Sequence, residues 1–158
     1  MNKSEVLLRP AFAGDAGELS DLAVRSKAHW GYSTDFIDAC RDELTYTPDQ
    51  IDDPGFTFIV AQLTGLLVGF YALEKLSACK FDLNALFVDP EHIGTGVGRA
   101  LIAHARNVAT QHGATQVVIQ SDPHAQAFYE HIGAEYHGQR ESDSIPGRNL
   151  PNLVIRLD

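Results

Sequence analysis

The chain has 158 residues, of which 44% are hydrophobic and 21% charged, proportions typical of a globular protein rather than a disordered or fibrous one. Twelve basic and 21 acidic residues give a formal net charge of −9, which argues against a nucleic-acid-binding surface. The sequence has no apolar run of about 18 residues and no apolar signal core after Met1, so neither a membrane span nor a secretory address is expected.

Cysteine content and length narrow the class further. The two cysteines, Cys40 and Cys79, lie far apart in the sequence and fit neither a disulfide scaffold nor a zinc ribbon. A reducing cytoplasm is therefore the expected location. The length suits a single domain, 1–158, that can bury a sizeable core without cross-links.

The first part of the chain predicts one strand and two helices. The strand covers 6–10, and the following helix carries on one face Leu19, Leu22, Ala23 and Ser26. The helical pattern ends at 29–32. A second helix is expected from an N-cap at 33–35 through Leu44, ending before Pro48.

Three strands are expected next, over 56–62, 66–76 and 80–88, and a turn at 63–65 makes the first two a hairpin. The third strand alternates between apolar and polar residues: Phe81, Leu83 and Ala85 against Asp82 and Asn84. Side chains alternate across a strand, so its polar residues are expected on one face of a sheet.

The second half of the chain predicts a helix over about 96–112, a strand over 116–120, a helix over 125–132, and strands over 134–139 and 152–157. The hairpins imply antiparallel pairing, whereas the strand–helix–strand unit over 80–120 implies one parallel, right-handed crossover. We therefore expect the mixed α/β class, with a mostly antiparallel sheet flanked by helices on both faces.

A glycine-rich turn at 93–99 separates the strand ending at Val88 from the long helix. Gly94, Gly96 and Gly98 remove alternate side chains, so that backbone N–H groups can converge on an anion at the positive end of the helix dipole. This arrangement favours a pyrophosphate site. A tight strand–helix turn with no ligand explains the same glycines.

Two familiar phosphate loops do not match this turn. The dinucleotide fingerprint GxGxxG would need glycine at position 99 or 101, where Arg99 and Leu101 stand. A Walker A loop needs Gly-Lys followed by Ser or Thr, which the sequence lacks. This mismatch argues against a nucleotide-binding protein of the phosphate-loop type.

The segment from Leu86 to Leu101 resembles the acetyl-CoA motif of the GCN5-related N-acetyltransferases, Gln/Arg-x-x-Gly-x-Gly/Ala after a strand ending in Val-x-Pro. Gly96 and Gly98 match its last two positions, whereas Ile93 replaces the usual Gln or Arg. Asp122–Ala134 resembles the family's later motif, Asn-x-x-Ala-x-x-Phe-Tyr-x-x-x-Gly-Phe, with His124 near the usual Asn and Ala134 in place of the final Phe.

The resemblance implies a fold in which two neighbouring strands splay apart to hold acetyl-CoA, with no metal. The pantetheine amide would pair with strand backbone, and the pyrophosphate would lie on the glycine turn. The residues implied in cofactor binding are Leu86, Phe87, Val88, Ile93, Gly94, Thr95, Gly96, Val97, Gly98, Arg99, Ala125 and Phe128.

The resemblance also implies catalytic roles. Tyr129 matches the position of the family's frequent general acid, which would protonate the leaving thiolate. Asp82 is the candidate base, with Glu74, or Asn84 through water, as alternatives. Core packing of Tyr129 and a solvated strand face around Asp82 are the competing structural interpretations.

The acceptor site is expected between the helix break at 29–32 and a polar loop at 144–151. His29, Trp30 and Tyr32 would line a pocket for an amine, and Arg148 would bind an acceptor carboxylate. Trp30 packing two helices on the sheet and Arg148 as a solvated loop residue are the alternatives. No histidine spacing indicates a metal site.

These features together predict an acetyl-CoA-dependent N-acetyltransferase that acts by direct transfer on a primary amine, expected to be a small molecule. The competing function is a non-catalytic CoA-binding regulatory module of the same fold. Neither a nucleic acid nor a membrane is expected as a partner. The sequence does not decide between a monomer and a homodimer.

Overall fold

The structure is a computed structural model that describes residues 6–157. Its strands are β1 (Leu7–Pro10), β2 (Phe56–Leu63), β3 (Leu66–Lys75), β4 (Lys80–Val88), β5 (Gln116–Gln120), β6 (Glu135–Glu141) and β7 (Asn149–Arg156). Its α-helices are α1 (Ala16–Ala28), α2 (Thr34–Ala39), α3 (Pro48–Asp52), α4 (Val97–Gln111) and α5 (Gln126–His131). Among the described residues, none of these helices is long and apolar enough to cross a bilayer.

All seven strands form one sheet in the order β1-β2-β3-β4-β5-β7-β6. The β4–β5 pair is parallel, and every other neighbouring pair is antiparallel. The predicted mixed, mostly antiparallel sheet is therefore confirmed, as is the single parallel step between the strands that flank α4.

Two apolar clusters cover the two faces of the sheet. One cluster contains Leu101 and Ala105 of α4 together with Tyr129 of α5. The other contains Leu19 and Leu22 of α1 and the apolar residues that follow it up to α3. The predicted arrangement of helices on both faces of the sheet is confirmed.

Three predicted element boundaries were wrong. The second helix ends at Ala39 rather than Leu44, and hydrogen-bonded turns continue the chain. Pro48 begins α3 instead of ending a helix, because Thr47 caps this helix and proline is well tolerated in a first turn. The last strand starts at Asn149, since this stretch pairs with β6 rather than forming a loop.

A β-bulge interrupts β4 at Asn84. Leu73 of β3 pairs with Leu83, and the preceding residue, Ala72, pairs with Ala85, so Asn84 is an extra residue without a partner on β3. The bulge shifts the alternation of side chains. As a result, Leu83 belongs to the α4 cluster and Ala85 to the α1 cluster, whereas simple alternation placed both on one face.

Candidate functional site

The parallel strands β4 and β5 diverge shortly after they meet. They pair at three positions only, Lys80 with Gln116, Phe81 with Val117, and Asp82 with Val118. Beyond Asp82 the described pairing of β5 continues with β7 alone. The edge of β4 from 83 to 88 therefore offers backbone groups that no β5 residue satisfies, and the expected strand splay is present.

A cleft of about 900 Å³ occupies this splay. One end is lined by the glycine turn and the residues that follow β5, namely Ile93, Gly94, Gly96, Gly98, Arg99, Ala125 and Phe128. The middle is lined by the free part of β4 and by Tyr129. The remaining polar lining residues, referred to as the polar end of the cleft, come from several elements: Glu43, Tyr46, Gln50, Glu74, Asp82, Arg140 and Asp143.

The glycine turn is held in a conformation that favours glycine. Gly94 has φ +84° and Gly96, which caps the N-terminus of α4, has φ +94°. A side chain at either position would strain the backbone. The turn therefore presents bare backbone at the start of a helix of 15 residues, whose dipole favours an anion there.

A close approach of α4 to β3 fixes the position of this turn. A Cβ atom on Gly69 of β3 would lie 3.0 Å from side-chain atoms of Val97 and Leu101 and from the Phe87 carbonyl oxygen. Glycine therefore lets the first turn of α4 rest directly on the sheet, beside the free edge of β4.

Two of the residues expected to bind the cofactor turn their side chains away from the cleft. The Thr95 hydroxyl donates to the carbonyl of His92, and Val97 is buried in the α4 cluster. Only their backbone groups are available to a ligand at the turn. The Ile93 side chain, by contrast, lines the cleft and is 42% exposed.

The Tyr129 side chain is 5% exposed and lines the cleft. Within residues 6–157 its hydroxyl makes no hydrogen bond, and this oxygen is not among the fully buried polar atoms that lack a partner, so it reaches the open space of the cleft. Burial raises the pKa of Tyr129 far above its usual value of 10, with a further rise from the charge of Asp122. The group is thus a neutral proton donor with a free O–H in the cleft.

Asp82 lies opposite Glu74 across the β3–β4 ladder, and the amide of Asn84 donates to a Glu74 oxygen at 3.3 Å. Burial raises the pKa of the Asp82 carboxyl above its usual 3.8, while the charge of Arg140 opposes this rise. A carboxylate with a raised pKa in a cleft is suited to accepting a proton.

A polar network centred on Asp122 joins the α1–α2 connection to the turn after β5. The Asp122 carboxylate accepts from Lys27 at 3.2 Å, from the Tyr32 hydroxyl at 2.9 Å and from the backbone N–H of His124 at 2.8 Å. Arg148 donates to the Tyr32 hydroxyl at 2.8 Å. Burial and the bond to Asp122 raise the pKa of Tyr32 to about 12.

The four residues predicted to bind the acceptor cluster around this network, but Trp30 alone among them lines the cleft. Its ring stacks on His124, with ring centroids 5.0 Å apart and planes 6° apart. His29 packs edge-on against Trp30. Tyr32 and Arg148 do not line the cleft. The Tyr32 hydroxyl bonds to Asp122, and Arg148 bonds to the Tyr32 hydroxyl.

The second motif begins at Asp122, two residues earlier than predicted. Counted back from Phe128 and Tyr129, Asp122 rather than His124 stands at the position of the motif's Asn. The geometry agrees, since the Asp122 carboxylate caps the short turn Pro123–Ala125 by accepting from its backbone.

Sequence reasoning missed most of the polar end of the cleft. Glu43, Tyr46, Gln50, Arg140 and Asp143 are single polar residues on separate elements, and no spacing in the sequence connects them. Among the residues that the structure describes, no three His, Cys, Asp or Glu side chains are grouped as metal ligands would be.

Comparison with known proteins places this geometry in context. The chain matches the family described as acetyltransferase (GNAT) domain over residues 19–144. It is 37% identical over 73 residues to the peptidyl-lysine N-acetyltransferase YjaB of Escherichia coli, a match that covers 46% of this chain and 48% of that protein. The chain therefore spans about half the length of that relative.

Two further similarities extend over nearly the whole chain. The 5-NmdU N-acetyltransferase of Pseudomonas phage PaMx11 is 27% identical over 92% of this chain and 95% of its own length. The structure of the PaiA N-acetyltransferase from Thermoplasma acidophilum, in complex with coenzyme A, superposes with a TM-score of 0.80 at 19% identity, over 96% of this chain and 99% of that one. With the family match over most of its length, the chain belongs to the GCN5-related N-acetyltransferase (GNAT) family.

Proposed function

We propose that the protein transfers an acetyl group directly from acetyl-CoA to a primary amine of a small molecule. One observation carries this proposal: a single cleft joins a bare glycine turn, a free strand edge, an unpartnered phenol and a half-buried carboxylate. The similar PaiA structure contains coenzyme A, and the similar proteins from Escherichia coli and the phage are named N-acetyltransferases.

The residues present fit coenzyme A. Backbone N–H groups of the turn at 94–98 would hold the pyrophosphate, and the free edge at 86–88 would pair with the pantetheine amides. Ala125 and Phe128 line the same end of the cleft and leave room for the pantetheine arm. Acetyl-CoA supplies an acyl thioester, whose C–S bond breaks as the acceptor's C–N bond forms.

Two protons must move in this reaction. The ammonium form of the acceptor must lose one before its nitrogen can attack, and the departing thiolate takes one up. We assign the first to the Asp82 carboxylate and the second to the neutral hydroxyl of Tyr129. Both side chains line the cleft.

Two hydrogen bonds tie down the β6–β7 connection, which contributes Asp143 to the cleft. The Ser144 hydroxyl donates to Glu43 at 2.7 Å, and Arg148 donates to Tyr32 at 2.8 Å. Both bonds join the β6–β7 connection to the α1–α3 region. We infer that a connection tied in this way favours a small acceptor over a lysine side chain presented by a folded protein surface.

Replacement of Gly98 by valine is expected to weaken CoA affinity at least tenfold, about 1.4 kcal/mol. A Cβ at Gly98 would lie 3.5 Å from Phe128 and 3.6 Å from Val88, which are ordinary contacts, so the fold should survive. The extra methyl groups of valine would occupy ligand space. Titration of CoA by calorimetry measures the effect, with Gly98→Ala as the smaller matched change. Equal CoA affinity in the folded valine variant would remove the turn from the binding site.

Replacement of Trp30 by alanine is expected to raise the acceptor KM more than the acetyl-CoA KM. Trp30 lines the cleft and covers His124, so its loss removes binding surface without touching the glycine turn. Saturation curves for the two substrates give the comparison. Equal effects on both KM values, or none, would make Trp30 a packing residue.

The activity itself is tested by following CoA release from acetyl-CoA against a panel of primary amines, with product masses as confirmation. Turnover that needs both substrates and yields an acetylated amine supports the proposal. Tight CoA binding without turnover on any amine or lysine peptide would instead favour the non-catalytic CoA-binding module.

A further inference from the structure

Two stacked rings from distant parts of the chain form part of the wall of the cleft. Trp30, in the connection after α1, and His124, in the turn after β5, both line the cleft, with ring planes 6° apart. Trp30 is nevertheless 39% exposed. A ring pair that remains in contact with water holds two segments together only weakly, so this stack needs support from other contacts.

The Asp122 carboxylate supplies that support on both sides of the stack. Its Oδ1 atom accepts from the backbone N–H of His124 at 2.8 Å and lies 2.9 Å from the ring nitrogen Nδ1 of the same residue. Its Oδ2 atom accepts from Lys27 at 3.2 Å and from the Tyr32 hydroxyl at 2.9 Å. Trp30 lies between Lys27 and Tyr32 in the sequence. One side chain therefore fixes both segments that carry the rings.

The contacts of Asp122 with the α1 side depend on its charge. The Lys27 and Asp122 side chains are 12% and 18% exposed, and Arg148 lies 3.8 Å from the same carboxylate oxygen. Charges that are partly shielded from water attract one another more strongly than exposed ones do. Burial opposes ionisation, but the N–H of His124 and the charge of Lys27 keep the pKa of Asp122 below its usual 3.8. The carboxylate is thus charged at neutral pH.

The motif's usual asparagine would support only one side of the stack. Its single amide oxygen could still accept from the backbone N–H of His124, but its NH2 group donates hydrogen bonds and would face the cations Lys27 and Arg148. The carboxylate of Asp122 therefore turns a cap of the β5–α5 turn into a connection between two segments of the chain.

Resting on the proposed function, we propose that Asp122 is a positioning residue whose charged carboxylate holds the Trp30–His124 stack in place as the wall against which the acceptor binds. Its effect on the reaction passes through Trp30. Loss of the charge should therefore weaken acceptor binding and leave the chemistry and the glycine turn as they are.

Asp122→Asn tests this role, because it removes the charge and keeps the cap of the turn. With the primary amine that has the highest kcat/KM in the panel as the acceptor, we expect its KM to rise roughly threefold or more, with kcat and the acetyl-CoA KM nearly the same. Lys27→Gln breaks the same ion pair from the other side and should give the same split between the two KM values.

The emission of Trp30 gives a second readout, which needs no substrate. Trp30 is the only tryptophan in the chain, so the protein's tryptophan fluorescence reports on the stack alone. Release of the ring from His124 exposes more of the indole to water and should move its emission to longer wavelength in Asp122→Asn. Asp38→Asn is the matched control, because it removes an exposed ion pair with Arg41 outside the cleft and should cause no shift.

A double-mutant cycle separates positioning from direct contact with the acceptor, since Asp122 itself lines the cleft. If Asp122 acts through the stack, Asp122→Asn should add little to the acceptor KM of Trp30→Ala. Increases in KM that multiply in the double variant would indicate direct contact and overturn the positioning role.

The outcomes separate this proposal from the one on which it rests. Trp30 emission and acceptor KM that stay unchanged in both Asp122→Asn and Lys27→Gln would overturn the positioning role and leave the acetyltransferase activity standing. A fall in kcat alone would do the same and would direct the effect of the charge to Tyr129. A parent without turnover on any amine would overturn the proposed function and the acceptor wall, and the Trp30 emission would then decide alone whether Asp122 holds the stack.

Discussion

Replacement of Tyr129 by phenylalanine is expected to lower kcat by about 10²–10⁴, the usual contribution of a positioned general acid. Acetyl-CoA affinity should stay nearly the same, since the ring keeps its packing in the α4 cluster. The hydroxyl is the only group removed. Burial holds the pKa of Tyr129 well above neutral pH, so the lost group is a protonated donor throughout the working range.

The measurement is a pre-steady-state or steady-state kcat under conditions where chemistry limits the rate. Tyr136→Phe is the matched control, because Tyr136 is 49% exposed on β6 and lies outside the cleft. A kcat of Tyr129→Phe equal to that of the parent would return Tyr129 to a packing role and leave the thiolate to be protonated by solvent.

Replacement of Asp82 by asparagine is expected to lower kcat by a similar factor, about 10²–10⁴, and to change the pH profile. The carboxylate is the active form of a base, and burial raises the pKa of Asp82. In the parent, kcat at saturating amine should therefore fall as the pH drops through a value above 3.8. This inflection should be missing from the Asn variant.

Stability offers an independent check on Asp82. Because its pKa is raised in the folded state, the contribution of Asp82 to stability is greatest at low pH and declines as the pH rises through the folded-state value. The Asn variant should thus be at least as stable as the parent at neutral pH. Glu74→Gln is the comparison variant for activity: a loss of kcat there, with Asp82→Asn unaffected, would transfer the role of base to Glu74.

The sequence predicted the sheet and the glycine turn because their signals are local. Apolar runs bounded by turns marked β2 to β5, and alternating glycines before an amphipathic helix marked the turn at 93–99. The helix boundaries were harder to predict, because a proline can either end one helix or begin the next. Pro48 begins α3.

The rest of the site depends on contacts between distant residues. Lys27 meets Asp122 across 95 positions of sequence, and Ser144 meets Glu43 across 101. The bulge at Asn84 interrupts a regular alternation and leaves no sequence mark, because the extra residue is visible only against β3. These long-range pairs decide which polar residues reach the cleft.

We infer that the glycine turn and Tyr129 serve one ligand that passes through the splay of β4 and β5. A crystal structure of the protein with bound CoA tests this claim through one distance, that between the CoA sulfur and the Tyr129 hydroxyl oxygen. With the pyrophosphate on the turn at 94–98, we expect about 3.5 Å, within reach of proton transfer. CoA bound elsewhere, or with its sulfur separated from Tyr129 by other side chains, would contradict the account.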